Sequence, residues 1–198
     1  MSYLIETDDN LDGKTDEEIV LLALLDQNAF VHIVKRYKQK LLSYIKRISN
    51  VDIEEAEDVL QETFLKVYLN LNDFDRDLKF SSWIYRITHN QVISHYRKKQ
   101  ARPQRADVDL FDDRILSIAS EFRVEKDIDH KILKDSIVKI LDQLDIKYKD
   151  ILVLKYLEEK DYQEISDIIK KPVGTVASRL SKAKQAFKKE MEKQDLKI

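Results

Sequence analysis

Apolar residues recur at three- and four-residue intervals along nearly the whole chain, the signature of amphipathic helices. Asp16 to Leu25 predicts a first helix, and Asn28 is placed to cap a second that runs to about Ile48. Asp52 or Ile53 begins a third, with Ala56, Val59, Leu60, Phe64, Val67, Tyr68 and Leu71 as its apolar stripe. Its first turns are acidic, as the positive end of a helix dipole favours. A polar loop, Asn72 to Lys79, precedes a fourth helix over about Ser81 to Lys99. Periodicity is lost from Arg102 to about Asp127, where Pro103, Asp107, Asp109, Asp112 and Asp113 read as an acidic linker with a short helix around Ile115 to Phe122. The pattern resumes near Ile128 and holds to about Met191.

The last part of that pattern has a distinct form. Tyr162, Ile165, Ile168 and Ile169 share one helical face, Lys171-Pro172-Val173-Gly174 breaks it, and Val173, Val176, Leu180, Ala183 and Phe187 begin another. Opposite that second face lie Thr175, Ser178, Lys182 and Gln185, with Arg179 alongside, and no acid occurs from Ile168 to Lys189. A helix with an apolar back and a front of Thr, Ser, Gln, Lys and Arg fits a major groove, where those groups reach base edges and phosphates. An ordinary helical hairpin with a solvated basic face is the alternative.

Composition narrows the class. In 198 residues there are only two glycines and two prolines, which points to an all-α fold of two small helical domains. The absence of cysteine excludes disulfides, thiolate metal sites and a cysteine nucleophile, and fits a reducing cytoplasm. A net charge of -2 looks wrong for a nucleic-acid binder, but the charge is segregated. Val51 to Phe64 carries Asp52, Glu54, Glu55, Glu57, Asp58 and Glu62 without a base, whereas Ser81 to Ala106 carries Arg86, Arg97, Lys98, Lys99, Arg102 and Arg105 without an acid. Such a block neutralises phosphates locally. Ile19 to Leu25 is too short to span a bilayer. His32, His89, His95 and His130 lack ligand spacing, no glycine-rich phosphate loop exists, and the carboxylates sit at helix starts and in the linker. No metal, cofactor or enzyme chemistry is expected.

Three segments together carry a family resemblance. Glu54-Glu-Ala-Glu-Asp-Val-Leu-Gln-Glu-Thr-Phe-Leu-Lys-Val-Tyr68 resembles the second conserved region of bacterial sigma factors. Phe80-Ser-Ser-Trp-Ile-Tyr-Arg-Ile-Thr-His-Asn90, running into Arg97-Lys-Lys99, resembles the helix beside it that opens promoter DNA. Pro172-Val-Gly-Thr-Val-Ala-Ser-Arg-Leu180 is similar to the start of the recognition helix in the fourth region. Their order, and a linker where longer sigma factors carry a third domain, resemble the extracytoplasmic-function (ECF) group over roughly residues 16 to 190. The chain departs from the family at Lys170 and Lys171, where a glycine and an apolar residue are common. It departs also at Ala177, in place of a basic residue, and at His89, in place of an arginine.

The resemblance implies a leader at 1–15, a region 2 domain at 16–100, a linker at 101–127, a region 4 helix-turn-helix domain at 128–192 and a tail at 193–198. It implies docking of Asp58, Gln61, Glu62 and Leu65 on the clamp coiled coil of core RNA polymerase, the flap being a second contact; the alternative is a solvated acidic face. Asp75, Arg76, Lys79, Trp83, Arg86, Asn90 and Arg97 become candidates for the promoter -10 element. Trp83 has a core reading beside Phe80, Ile84 and Ile87, and Phe74 also has a packing role open to it. Tyr85, His89, Val92 and Tyr96 form one stripe of this helix, and its aromatic members are placed to stack on unpaired bases. Thr175, Ser178, Arg179, Lys182 and Lys184 become candidates for the -35 element, with Lys188 and Lys189 adding phosphate contacts. The linker is either a spacer or a negative strand in the polymerase's RNA channel. An anti-sigma protein is the implied regulator. Two rival readings stay open: an autonomous helix-turn-helix regulator that binds duplex DNA without polymerase, and a helical adaptor that binds no DNA.

Overall fold

The computed structural model describes residues 11, 13–99, 113–122 and 130–193. The leader through residue 10, the linker acids Asp107, Asp109 and Asp112, the bases Arg102 and Arg105, and the tail from 194 lie outside the described residues, as do the side chains of Lys98 and Lys99. Among those described there is no strand, so the all-α, two-domain expectation holds.

The amino-terminal bundle comprises α1 (Asp16–Leu25), α2 (Phe30–Ser49), α3 (Ile53–Leu69) and α4 (Phe80–Lys99). The first three starts have a local chemical cause. Thr15 and Glu18 form a reciprocal capping box on α1. Asp26, not Asn28, is the capping side chain before α2: it accepts from the Asn28 amide at 2.9 Å, and a 3-10 turn over Gln27–Ala29 leads into the helix. Asp52 caps α3 by accepting from Glu55 N–H. Asn50 ends α2 in the left-handed region (φ 53°), a conformation that asparagine tolerates. The α3 stripe buries Ala56, Val59, Leu60, Val67 and Leu71, but Phe64 is only half-buried. Tyr68 is not core: it packs edge-on to Phe30 and stays 37% exposed.

The carboxy-terminal domain contains α5 (Leu116–Glu121), α6 (His130–Gln143), α7 (Ile146–Leu152), α8 (Tyr162–Ile169) and α9 (Val173–Lys193). A π-helical turn over Val153–Leu157 extends α7. Val176, Leu180, Ala183, Phe187 and Met191 form the buried side of α9. The Phe187 ring stacks on Phe122 at 5.0 Å. Full burial of a side chain of this size contributes about 1.5–3 kcal/mol.

The turn before α9 is made differently from the sequence expectation. Lys170, in the left-handed region (φ 51°), ends α8. Ser166 Oγ donates to the Lys171 carbonyl at 2.7 Å, and the Pro172 carbonyl accepts from Thr175 and Val176. Gly174 sits inside the first turn of α9 with no positive φ and open space around its α-carbon. The break is therefore the work of Lys170 and Pro172, and Gly174 is not needed for it. Glycine-free left-handed turns carry a steric cost of roughly 1–2 kcal/mol.

The two domains close on each other. Helix α4 packs along α8, and α2 along α7. The buried apolar residues join into one cluster that runs through both domains.

Candidate nucleic-acid interface and docking face

The acidic face of α3 is open to solvent. Asp58, Gln61, Glu62 and Leu65 are all exposed, Leu65 by 58%. Glu62 accepts from Gln91 Nε2 at 2.9 Å, and Gln91 Oε1 in turn accepts from the Lys66 ammonium. Thr63 faces the other way, bonded to the Val59 carbonyl. One turn beyond Leu65, Leu69 is 67% exposed. Sequence reasoning missed it, although the i,i+4 spacing of the two leucines was the available signal.

The seven candidates around α4 separate into four groups. Asp75 and Arg76 are exposed in the loop, where Asp75 accepts from the Asp77 amide at 3.0 Å. Lys79 reaches the helix-turn-helix, 3.4 Å from Glu164 and 3.9 Å from Asp161. Trp83 is buried between Phe74 and Phe80 with centroids 5.5 and 5.7 Å away, so its ring belongs to the core and cannot meet DNA from there. Phe74 packs there too. Asn90 and Arg97 project outward, with Arg86 half-covered.

The second α4 stripe is not a stacking platform. Tyr85 and Val92 are buried. Tyr85 donates its hydroxyl to Glu158 at 2.6 Å, across the interface between domains. His89 lies with Nδ1 at 3.3 Å from Asp150 Oδ2, while Tyr44 Oη donates to Asp150 Oδ1 at 2.6 Å. Burial pushes the Tyr44 and Tyr85 phenols well above their ordinary range, and the adjacent carboxylates push them further, so both remain hydrogen-bond donors. For His89 burial pulls the imidazole down, but the Asp150 carboxylate outweighs it and the net shift is upward. Arg179 and Arg97 oppose that shift.

On α9, Ser178 and Lys182 are fully outward, with Thr175 and Arg179 half-covered at the edges of the row. Lys188 and Lys189 are exposed farther along. Lys184 does not belong to the row. At 100° per residue it falls beside the apolar side, where it meets Glu121 at 2.5 Å and lies over the Tyr156 ring.

The two basic helices share one cleft of about 720 Å³. Its walls include His89, Asn90 and Arg97 from α4 and Lys147 and Asp150 from α7, with Lys171 and Arg179 beyond the turn. No group of His, Asp and Glu among the described residues is arranged to hold a metal ion. No helix among them is long and apolar enough to cross a membrane.

Comparison with known proteins resolves the family. Residues 33–102 match the model for sigma-70 region 2, and residues 134–187 match the model for sigma-70 region 4. The ECF RNA polymerase sigma factor SigW of Bacillus subtilis is 33% identical over 171 residues, covering 84% of this chain and 90% of that protein. The solved structure of CnrH in complex with the cytosolic domain of CnrY aligns with a TM-score of 0.65 at 21% identity, over 90% of this chain and 98% of that one. The sigma factor RpoE of Bartonella quintana, solved with the anti-sigma factor NepR, aligns with a TM-score of 0.58 at 19% identity, over 82% of this chain and 96% of that one. At those identities the two structures establish the shared fold. The two family regions in their proper order, and the near full-length match to a relative, place the chain in the ECF group of the sigma-70 family of RNA polymerase sigma factors.

Proposed function

We propose that the chain binds core RNA polymerase and makes it promoter-specific. The domain at 16–100 docks on the clamp coiled coil through Asp58, Gln61, Glu62 and Leu65, with Leu69 extending the apolar part of the face. The same domain reads the -10 element through Asp75, Arg76, Lys79, Arg86, Asn90 and Arg97. Melting by this route works because unpaired bases gain contacts that duplex bases cannot reach. The domain at 128–192 docks near the flap and reads the -35 element through Thr175, Ser178, Arg179 and Lys182, while Lys188 and Lys189 hold phosphates. The acidic stretch ahead of α5, with Asp107, Asp109 and Asp112, enters the polymerase channel that later carries RNA. An anti-sigma protein controls the pair of domains, a reading supported by the complex of the sigma factor RpoE with the anti-sigma factor NepR. The chain works in the cytoplasm as a regulator with no catalytic centre of its own.

The observation that carries this reading is one chain holding two surfaces of opposite sign. An exposed acidic and leucine-bearing face lies on α3, and a row of Ser, Lys and Arg lies on α9. An autonomous DNA-binding regulator has no use for the first surface. Transcription reconstituted with core polymerase and a genomic fragment library tests the reading. Discrete new start sites that need the protein, and vanish when Asp58, Gln61 and Glu62 are changed to alanine, are expected. Tight duplex binding by the protein alone, with no new starts, would favour the autonomous regulator.

A further inference from the structure

The cleft of about 720 Å³ walled by α4, α7 and α9 has two kinds of lining. One is cationic, from Arg97, Lys147, Lys171 and Arg179. The other is apolar and hydrogen-bonding, from Tyr96 and Ile93, Ile146 and Ile169, with Asn90 and Ser94. On α4, Asn90, Ile93, Ser94 and Arg97 are three or four residues apart and so share one face. At 1.5 Å per residue that row is about 10 Å long. It offers an amide, an aliphatic surface, a hydroxyl and a guanidinium in succession.

The positive charge of the cleft is not neutralised by its surroundings. Lys147 has Asp145 at 2.8 Å, whereas Arg97, Lys171 and Arg179 have no carboxylate within ion-pair distance among the described residues. Asp150, the one acid in the lining, is buried and engaged: it accepts from the Tyr44 hydroxyl at 2.6 Å and faces His89 at 3.3 Å. After burial, the fields of Arg179 and Arg97 are what disfavours the charged His89 imidazole, so both arginines act on the same space. Arginine presents a planar fork of donors that matches a phosphate oxygen pair.

We propose that this cleft is a binding site for a nucleoside oligophosphate. The phosphate chain lies on Arg97, Lys171 and Arg179, and the base lies against Tyr96 and the isoleucines, within reach of Asn90 and Ser94. The volume falls within the roughly 300–1,000 Å³ of small-molecule sites. Duplex DNA is too wide to enter it, and meets the outward row of Ser178 and Lys182 instead. An inorganic anion would leave the tyrosine and isoleucine lining uncovered, and an apolar ligand would leave three cations without a counter-charge. The site does not depend on the sigma-factor reading. On that reading it has a consequence: Asn90 and Arg179 also serve promoter DNA, so nucleotide and promoter compete for them.

Equilibrium dialysis of the full chain, without polymerase or DNA, tests the site with four probes: ATP, GTP, adenosine and inorganic tripolyphosphate. At least one of the two nucleotides should bind, with adenosine and tripolyphosphate each at least tenfold weaker, because each satisfies only one kind of lining. Arg179→Gln and Lys171→Gln should each weaken the nucleotide at least tenfold. Tyr96→Ala should weaken the nucleotide but leave tripolyphosphate unchanged. Lys182→Gln, on the outward row, should change nothing. Thermal unfolding of each variant separates a lost contact from a lost fold, and the exposed Lys171 decides the matter if Arg179→Gln unfolds. No binding of either nucleotide at about 1 mM, or tripolyphosphate bound as tightly as the nucleotides, would overturn the proposal. So would nucleotide binding that is untouched by Lys171→Gln and Arg179→Gln. A short single-stranded oligonucleotide that displaces the nucleotide ever more tightly with length would assign the cleft to single strands, and would overturn it too.

Discussion

Helices α4 and α9 carry the two sets of DNA-reading candidates, and they are built on opposite plans. On α9 one side is core and the other is open, so Ser178 and Lys182 point away from everything the helix packs on. On α4 the bundle takes one side, with Phe80, Trp83 and Ile84, and the carboxy-terminal domain takes another, with Tyr85 and His89. What is left for solvent is a narrow row from Asn90 to Arg97. The lesson is that a residue type suited to DNA, such as tyrosine or histidine, is equally suited to a polar contact between domains. Only the packing of the whole chain separates the two uses.

The contrast can be broken hardest at the α9 core. Phe187→Ala removes a fully buried ring and its stack on Phe122, and should cost about 3–5 kcal/mol in urea unfolding. A cost below about 1 kcal/mol would mean that α9 does not depend on that side. On its open side, Arg179→Ala should relax preference at one base pair of the -35 element by about 1–3 kcal/mol. Lys189→Ala should weaken all sequences alike and lower the salt slope by about 1. Binding titrations on a set of single-base variants, at several salt concentrations, separate those two outcomes. At the turn between the helices, Lys170→Gly relieves a left-handed lysine and should stabilise the domain by about 1 kcal/mol. A loss of stability there would show that the lysine side chain matters more than its backbone.

The smallest expected effect is a pH dependence on the α4 side. His89 has Tyr44 and Asp150 as partners, with Arg97 and Arg179 nearby. Its raised value means that the protonated imidazole favours the closed arrangement. The contribution is complete below the ordinary histidine value of 6.5 and fades as pH rises through the raised one. The closed fraction, followed by fluorescence transfer between domains, should therefore fall from pH 6 to 8.5 in the wild type. It should be flatter in His89→Gln. Parallel curves would remove His89 from the account.

Where one side of a helix is buried, the sequence was readable. The span of α1, the start of α3 at Asp52, the exposed acidic face and the α9 row follow directly from periodicity and charge. The errors fall where a local rule meets a tertiary contact. Tyr68 fits the α3 stripe by spacing, yet near the helix end it meets the Phe30 ring edge-on and stays 37% exposed. Gly174 is a residue that usually breaks helices, but the break needs only Lys170 and Pro172. Lys184 belongs to a basic run, although its angle turns it to Glu121. Tyr44, Arg47, Asp150 and Glu158 gave no signal at all, because partners 73 to 111 residues apart in the chain leave no periodic trace.

The central claim is that one chain reads two separated promoter elements with two helices that face a common cleft in the free protein. Fluorescent labels at Gln185 on α9 and Ser94 on α4 measure it in a single protein, free and then with core polymerase on its promoter. A short separation in the free chain, rising to well over 50 Å in the promoter complex, is the predicted result. A separation that stays the same in an active complex would contradict it.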